Sequence, residues 1–437
     1  MSRNHFSRVF TAAIAGASIL ALTACGTSGP SAGQSSGGGG GVTVWTITTS
    51  NDISAVFQKS VETYNAGAPK AKVTLTQYDP NGLKTKIQLA LGAGQGPDIF
   101  FGYGGGVLDS YVKANHVYDI TSALPEAKAT YLPSILDAVT FNGKLYGVPM
   151  KGSSPVVMFY NNEALNKAGL SGQPKTWDDL LTSIDKLKSA GYIPISLGGQ
   201  DKWPYLMFEE YLVDRVAGPG VFQKIVEGDS SAWNDLGVIQ ANKMIQQLVD
   251  RGAFGTSYAA TGYTTGQASA LVYEGKAAMQ LMGTWAYGDF AGKAKDFVTS
   301  GKLGWGPFPA VTGGKGDPSD IAGNVSSFYS INAVSNNKAG AVDYLKKAVM
   351  SDSYIDGLIK GGELPPVKGV EQKLKAAGAP DFTMATYKMI NDAKHYQMSW
   401  DQALPPAPAA ALLDNLDALF LKKITPEQFS KNMAAAK

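Results

Sequence analysis

The sequence has little of what disulfide frameworks and metal centres require. Its 437 residues contain one cysteine, Cys25, so the chain can form neither an internal disulfide nor a thiolate metal site. The three histidines, His5, His116 and His395, lie far apart in sequence, and none has a second ligand at the spacing of a metal site. We therefore expect a surface or structural role for His116 and His395, and neither a metal ion nor a cofactor.

The chain also has almost no net charge. Its 38 Lys and Arg against 36 Asp and Glu give a formal net charge of +2 at pH 7, and Arg3 and Arg8 near the start of the chain account for it. The remainder is formally neutral and offers no general field for nucleic acid or for highly charged substrates. We expect no nucleic-acid partner.

Nucleotide-binding motifs are missing. No GxxxxGK[ST] sequence occurs, and the glycine-rich stretch 102–106 would need a glycine where Val107 stands to complete GxGxxG. The stretch specifies no helix start that could bind phosphate. We interpret it as a loop of small residues around Tyr103, where a bulky neutral ligand can approach the backbone.

No pair of carboxylates stands out as a catalytic acid and nucleophile. Asp178 and Asp179 follow Thr176 in a capping box, where carboxylates favour the helix dipole, and Trp177 shares a helical face with later apolar residues and is expected in the core. Glu209 and Glu210 lie inside a predicted helix and are expected at a solvated edge. We predict no catalytic residue and a protein that is not an enzyme.

The first residues show the pattern of an exported protein. Residues 1–8 are basic and residues 9–24 are apolar, which predicts a signal peptide over 1–24 that is too short to span a membrane comfortably. Leu22-Thr23-Ala24-Cys25 resembles the bacterial lipobox, whose cysteine receives a diacylglyceryl group. Residues 25–41 are then a lipidated Gly/Ser tether that anchors a body at the extracellular face of the membrane. The alternative is a plain secretory leader with an accidental cysteine.

The sequence is rich in aromatic residues, with 20 Tyr, 17 Phe and 7 Trp, and it is longer than one hydrophobic core usually supports. Two domains are therefore expected. Strand and helix patterns alternate after the tether, which is typical of a parallel sheet with covering helices. The predicted elements are a strand at 42–49, a helix at 51–66, a strand at 71–77, a helix at 80–91 and a strand at 98–101.

The most informative stretch is 273–290. An apolar run at 277–282 of strand length ends at Gly283, and Trp285 and Tyr287 follow it. Open α/β sheets bind ligands at the C-terminal edge of their strands, so these rings are placed where a ligand would lie. The alternative is that both are ordinary core aromatics.

A second loop has similar character. A predicted strand at 192–197 is followed by two glycines, then Gln200 and Trp203, which gives a ligand room, hydrogen-bond partners and an aromatic face. Trp203 fits ligand stacking and packing behind the site equally well. An Asn142-Gly143 pair between extended segments predicts a β-hairpin.

These features together resemble a known family. Gly96-Pro97-Asp98-Ile99, Tyr146-Gly147-Val148-Pro149 and the helix, strand and Gly283-Thr284-Trp285 described above are similar to motifs of extracellular solute-binding proteins of the carbohydrate type, the group that contains maltose-binding protein. The resemblance implies an α/β, two-lobed periplasmic-binding-protein (Venus-flytrap) fold with several crossing segments. The implied lobes are 42–150 with 326–370 and 151–325 with 371–437.

The resemblance also implies a binding site. In the family the tryptophan after the glycine stacks on a sugar ring, and an aromatic before a late helix meets the ligand from the second lobe. Neutral sugars offer apolar faces to aromatic rings and hydroxyl edges to polar groups. The expected faces are Trp285, Trp203, Trp400 and Tyr103, and the expected edge partners are Asn51, Gln200, Asp401 and Lys151. An exposed lysine is an equally good interpretation of Lys151.

The implied function is capture of a neutral oligosaccharide, a disaccharide or longer, by hinge closure of a monomer. The loaded form would dock on the permease subunits of an ABC transporter, whose ATPase is a separate chain. The general likeness is to actinobacterial binders of xylo-oligosaccharides and related disaccharides. Two other classes stay open: a secreted glycoside hydrolase, which would turn over oligosaccharides, and an adhesion lipoprotein, which would bind no small ligand saturably.

Overall fold

Two mixed β-sheets, each covered by helices, form the framework of the protein. The computed structural model describes residues 40–436. The predicted signal peptide, Cys25 and nearly all of the predicted tether lie outside the described residues. In chain order the strands are β1 (Val42–Ile47), β2 (Val73–Tyr78), β3 (Ile99–Gly102), β4 (Thr140–Phe141), β5 (Lys144–Leu145), β6 (Val148–Pro149), β7 (Ser154–Asn161), β8 (Ile193–Ser196), β9 (Ala277–Gly283), β10 (Leu303–Gly306), β11 (Ile321–Asn324), β12 (Phe328–Ile331) and β13 (Tyr396–Met398).

Helices connect these strands. They are α1 (Asn51–Ala66), α2 (Pro80–Gly92), α3 (Gly105–Lys113), α4 (Ala127–Thr130), α5 (Pro133–Leu136), α6 (Asn162–Lys167), α7 (Trp177–Ser189), α8 (Trp203–Ala217), α9 (Gly220–Val226), α10 (Leu236–Asp250), α11 (Gln267–Tyr273), α12 (Ala286–Lys293), α13 (Lys295–Thr299), α14 (Lys338–Tyr344), α15 (Asp352–Lys360), α16 (Val370–Ala377), α17 (Asp381–Asp392), α18 (Trp400–Ala403), α19 (Pro406–Phe420) and α20 (Pro426–Ala435). Short 3₁₀ segments lie at Asp137–Val139, Gly199–Asp201, Ser230–Asn234 and Tyr258–Ala260, and α14 continues as a π-helical turn over Leu345–Val349.

The first lobe is built on the sheet β2-β1-β3-β12-β6, in which β1, β2 and β3 run parallel and β12 runs antiparallel to β3. Helix α1 covers this sheet with Ile53, Phe57, Val61 and Tyr64, which recur at helical spacing and are buried. The predicted helix at 51–66 is confirmed, and the three predicted strands form within a few residues of their expected bounds. The predicted hairpin is also confirmed, with Asn142 and Gly143 joining β4 to β5 at positive φ values of 51° and 75°.

The second lobe is built on the sheet β13-β11-β7-β9-β8, with β10 added beside β7. All eight residues of β7 are buried, because it pairs with β11, β9 and β10 along its length. Thr176 and Asp179 form the predicted capping box at the start of α7, and Trp177 is buried in the core as expected.

The lobes share crossing segments that lie side by side. The chain passes from β6 to β7 through 150–153 and from β11 to β12 through 325–327. It returns towards the second lobe along α17, whose Phe382 lies in the second core while Met384, Tyr387 and Ile390 pack against the first. The backbone N–H of Ser153 donates to the carbonyl of Leu364 at 2.8 Å, and Ser326 Oγ donates to the carbonyl of Lys151 at 2.9 Å. The second of these bonds joins the crossing at 150–153 directly to the crossing at 325–327.

The glycine-rich stretch 102–106 does not form a loop throughout. Helix α3 begins at Gly105, so the predicted loop of small residues is shorter than expected and a helix that was not predicted follows it. Gly104 and Gly105 have φ values of 80° and 61°, which side-chain-bearing residues rarely adopt. A Cβ on Gly105 would lie 2.5 Å from the carbonyl oxygen of Gln402, and one on Gly106 would lie 2.4 Å from that of Ala403. The glycines therefore let α3 of the first lobe approach the backbone of the second.

Glu209 and Glu210 are not at a solvated edge, and that prediction is wrong. Both are 0% exposed, because α8 is buried nearly all round by α10, α18 and α19. Burial raises the pKa of Glu210 to about 8, opposed by hydrogen bonds from Ser399 and Trp400 and assisted by the Asp401 carboxylate. Burial also raises the pKa of Glu209 well above its usual value.

Gly106→Ala tests the close approach of the lobes. The added methyl would meet the Ala403 carbonyl, whereas the backbone of Gly106 is ordinary helix, so we expect each lobe to fold and the lobes to separate. Small-angle X-ray scattering should show a larger radius of gyration. Gly92→Ala is the matched control, since a Cβ there has no neighbour within 4 Å. An unchanged radius in Gly106→Ala would contradict the contact.

Glu210→Gln tests the buried carboxyl. The folded protein holds the Glu210 proton up to about pH 8, while the unfolded chain releases it near pH 4.5, so wild-type stability falls across that window. Gln does not titrate, and we expect its melting temperature relative to wild type to rise as pH increases from 5 to 8. Glu163→Gln should show no such trend between pH 5 and 8, because Lys167 and Lys302 lower the pKa of that exposed carboxyl and its effect on stability changes only below about pH 4.5. If the melting temperatures of wild type and Glu210→Gln changed in parallel with pH, Glu210 would not be protonated in the folded protein as described.

Candidate ligand-binding site

A cavity of about 220 Å³ lies between the two lobes. From the first lobe it is lined by residues that follow the carboxyl ends of β1, β2 and β3, and from the second by residues that follow β8, β9, β11 and β13. The carboxyl ends of parallel strands are where open α/β sheets bind ligands. The topology thus brings seven strand ends to one place.

The second lobe contributes an aromatic wall, which consists of Trp203, Tyr263 and Trp285. The ring centroids of Trp203 and Tyr263 are 5.2 Å apart at 80°, and those of Trp203 and Trp285 are 6.1 Å apart at 58°. All three rings are partly exposed and line the cavity. A Cβ on Gly283 would lie 2.0 Å from the Trp285 ring. The glycine before this tryptophan therefore lets the indole fold back over the end of β9.

The first lobe presents one ring to the cavity. Tyr103 follows β3, and its ring meets Phe101 edge-on at 4.8 Å, which orients it. The Lys84 ammonium lies 5.0 Å from the Tyr103 ring centroid. A ligand in the cavity would have aromatic faces on both sides.

Polar contacts from the first turns of α2 join the lobes at the rim of the cavity. Lys84 Nζ lies 3.1 Å from Asp401 Oδ2, and Asn81 Nδ2 donates to Asp201 Oδ1 at 2.8 Å. Burial acts to lower the pKa of Lys84, but the Asp401 carboxylate outweighs it and raises the pKa above its usual value. These contacts hold the lobes closed over the cavity.

The charges that line the cavity are largely compensated by the protein. Lys151 is 6% exposed, and its ammonium lies 2.8 Å from the buried Glu363 carboxylate. Lys84 forms an ion pair with Asp401. The positive charge of Lys293 attracts the Asp289 carboxylate electrostatically. Burial raises the pKa of Asp289, which Lys293 and Tyr263 partly offset. The cavity therefore suits a ligand without net charge.

The cavity also holds an acceptor with no protein partner. Gln402 Nε2 donates to Asn324 Oδ1 at 2.5 Å, and Gln402 Oε1 is buried with no hydrogen bond within the described residues. A buried acceptor without a partner is costly, and a ligand hydroxyl would satisfy it. Four lining residues were not predicted from the sequence: Gln402, Asn324, Asn81 and Tyr263. Gln402 stands beside Asp401 and could have been proposed from that neighbour, whereas Tyr263 carries no motif.

The structure brings five of the eight predicted ligand-binding residues to the cavity. These are Trp285, Trp203, Tyr103, Asp401 and Lys151. Asn51 does not line it; it begins α1 and is exposed, while its neighbour Ser50 does line the cavity. Gln200 is exposed and lies outside the cavity lining. Contact of the five with a ligand stays a prediction.

Trp400 does not face the cavity, contrary to the prediction from the sequence. It was expected to stack on a ligand, but its side chain is 0% exposed. The indole lies parallel to the Phe222 ring at 4.1 Å and meets Trp233 edge-on at 5.5 Å. Along the short helix α18, Asp401 and Gln402 line the cavity while Trp400 packs into the core of the second lobe. Its aromatic face is therefore covered by protein.

Neither a metal cluster nor a membrane-spanning helix is found among residues 40–436. In that range no three His, Cys, Asp or Glu side chains are grouped so as to hold a metal ion. Over the same residues, no helix combines the length and the apolarity that crossing a membrane requires.

Relatives share sequence and structure with this chain. It is 32% identical over 259 residues to an uncharacterized ABC transporter extracellular-binding protein of Pyrococcus horikoshii (58% of this chain, 57% of the relative). It is 29% identical over 281 residues to a probable sugar-binding periplasmic protein of Mesorhizobium japonicum (62% of each). The matched part thus spans less than two thirds of either relative.

Solved structures match over more of the chain. A protein solved in work on xylan utilization by the thermophilic bacterium Caldanaerobius polysaccharolyticus superposes with a TM-score of 0.82 at 27% identity, over 90% of this chain and 99% of that one. A chitin oligosaccharide binding protein matches with a TM-score of 0.80 at 26% identity, over 91% and 98%. Residues 48–349 match the family model described as bacterial extracellular solute-binding protein. The chain belongs to this family of bacterial extracellular solute-binding proteins.

Proposed function

We propose that this protein captures a neutral oligosaccharide in the cavity between its lobes and delivers it to the permease subunits of an ABC transporter. The observation that carries the proposal is the aromatic wall of Trp203, Tyr263 and Trp285 in a cavity where Lys84 is paired with Asp401 and Lys151 with Glu363. Sugars bind through apolar C–H faces on aromatic rings and through hydroxyl groups on polar side chains, and they carry no charge to compensate.

The structure suits a ligand larger than one sugar ring. Tyr103 faces the cavity from the first lobe, while Trp203 and Trp285 offer two non-parallel faces from the second, so neighbouring rings of an oligosaccharide can each find a surface. The chitin oligosaccharide binding protein supports this size class, and the relative from xylan-utilization work supports sugars derived from xylan. We propose a disaccharide or longer chain, with xylo-oligosaccharides as the first candidates.

The segment before the folded body supports a further part of the proposal. We propose that residues 1–24 are a signal peptide, that Cys25 carries the lipid, and that 25–41 tethers a monomeric body with the predicted lobe boundaries to the extracellular face of the membrane. Mass spectrometry of the mature protein from membranes should show a diacylglyceryl-modified Cys25 at its N-terminus. An unmodified cysteine inside a longer chain would contradict this anchor.

A ligand screen tests the proposed function. Thermal shift should identify at least one stabilising sugar among xylobiose, maltose, cellobiose, chitobiose and raffinose, because a ligand at 100 times its dissociation constant adds about 2.7 kcal/mol. Chromatography of the incubated sugars separates binding from turnover. Products would favour a glycoside hydrolase, and the absence of any saturable binding would favour an adhesion protein.

Trp285→Ala should weaken binding of the stabilising sugar by about 1 to 3 kcal/mol, measured by calorimetric titration, because the variant removes a stacking face without opening a core. Trp45→Ala is the matched control: Trp45 is also partly exposed, but it packs against Tyr78 away from the cavity. Equal affinities of wild type and Trp285→Ala would remove this residue from the site.

A further inference from the structure

We infer that Glu210 is a positioning residue for the binding cavity: its carboxyl holds the 399–402 segment, which carries Ser399, Asp401 and Gln402 into the cavity lining. The inference rests on the proposed function, because it takes the interlobe cavity as the ligand site. Glu210 itself lies behind the cavity lining and touches no space open to a ligand.

The geometry joins one carboxyl oxygen to two donors of the segment. Glu210 Oε1 accepts a hydrogen bond from Ser399 Oγ at 2.7 Å and another from the Trp400 backbone N–H at 2.7 Å. Ser399 immediately precedes α18, yet its own side chain makes no capping bond to that helix. The carboxyl from α8 therefore supplies an acceptor that the first turn of α18 would otherwise lack.

Trp400 is the second anchor of the segment. Its indole is stacked on Phe222 at 4.1 Å and fully buried, so the residue that was expected to face the ligand fixes the segment from behind. The polar anchor at Glu210 sets the position of the backbone, and the apolar anchor at Trp400 sets which side of α18 faces the core. Asp401 and Gln402 are then directed to the cavity.

A small displacement of residues 399–402 would disturb several contacts around the cavity. Asp401 meets Lys84 of the first lobe at 3.1 Å, and Gln402 meets Asn324 at 2.5 Å. The backbone at Gln402 and Ala403 is also where α3 of the first lobe makes its close approach through Gly105 and Gly106. One segment thus contributes to the ligand lining, the rim contact and the packing between lobes.

A carboxyl at this position has a cost and a structural use. Burying an acid costs free energy, but the carboxyl accepts from Ser399 Oγ and from the Trp400 N–H, two buried donors that an apolar side chain would leave without an acceptor. Burial raises the pKa of Glu210 to about 8, so the group is held as a neutral acid at neutral pH and still accepts both bonds through Oε1. What the carboxyl adds over an apolar residue is the fixed location of 399–402.

The adjacent glutamate provides a matched control. Glu209 is equally buried on the same helix, but its Oε1 accepts from Asn242 on α10 at 3.4 Å and makes no bond to 399–402. Glu209→Leu and Glu210→Leu therefore remove the same group from the same helix, and they differ in which neighbour loses its acceptor.

The experiment compares these variants by hydrogen exchange without ligand and by calorimetric titration with the sugar found in the screen. Loss of two hydrogen bonds should make Glu210→Leu exchange the Trp400 amide about tenfold faster and bind the sugar about tenfold more weakly, while Glu209→Leu stays close to wild type in both. Glu210→Gln, whose carbonyl can accept both bonds, should restore exchange and affinity. Glu210→Asp is shorter and keeps the fold; it should show a partial loss of both.

The outcomes separate this inference from the proposed function. Equal effects of Glu210→Leu and Glu209→Leu, or wild-type exchange at Trp400 in both Glu210→Leu and Glu210→Asp, would overturn the positioning role even if Trp285→Ala abolishes binding. Faster exchange at Trp400 in ligand-free Glu210→Leu, with no sugar bound by wild type, would support the role of Glu210 in placing the segment and count against the proposed ligand.

Discussion

The structure depends on one constraint: the chain passes between its two sheets at 150–153 and 325–327, and these crossings are hydrogen-bonded side by side. Their buried members include Lys151, which is paired with Glu363 at 2.8 Å and also lines the cavity. The hydrogen bond between Ser326 and Lys151 therefore fixes the two crossings relative to each other in this structure. Seven strand ends from two sheets therefore meet around one cavity.

Closure of that cavity brings unlike surfaces together. The first lobe offers Tyr103 and the basic and amide groups of α2, and the second offers an aromatic wall and the carboxylates Asp201 and Asp401. These polar groups pair with one another at the rim, which leaves the aromatic faces and the acceptor Gln402 Oε1 for a ligand. The charged groups are thus paired at the rim, while the aromatic faces line the interior of the cavity.

Much of the fold could be predicted from local sequence, because helix α1, the hairpin at Asn142 and the capping box of α7 depend on neighbours within a few residues. Trp285 could be placed at a strand end for the same reason. Trp400 could not be placed, since which side of α18 faces the core is decided by Phe222 and Trp233. Asn81 and Asp201 are 120 residues apart, and neither carries a motif that announces their pairing.

The burial of Glu209 and Glu210 also could not be predicted from local sequence. Sequence pattern marks Glu209 and Glu210 as surface residues, and their burial follows from packing of α8 against α10 and α18, which are distant in the chain. The helix start at Gly105 could not be predicted from its neighbours in sequence. Its glycines allow close packing against residues 402–404, which are about 300 residues away in the chain. The residues that sequence reasoning misplaced are thus those whose environment is made by both lobes or by remote helices.

A crystal structure of the protein with its sugar bound tests the central claim most directly. The account predicts electron density for the sugar between the lobes, with a ring face against Trp285 and a hydroxyl at Gln402 Oε1. Density for the sugar outside the interlobe cavity, with that cavity filled only by water, would contradict it.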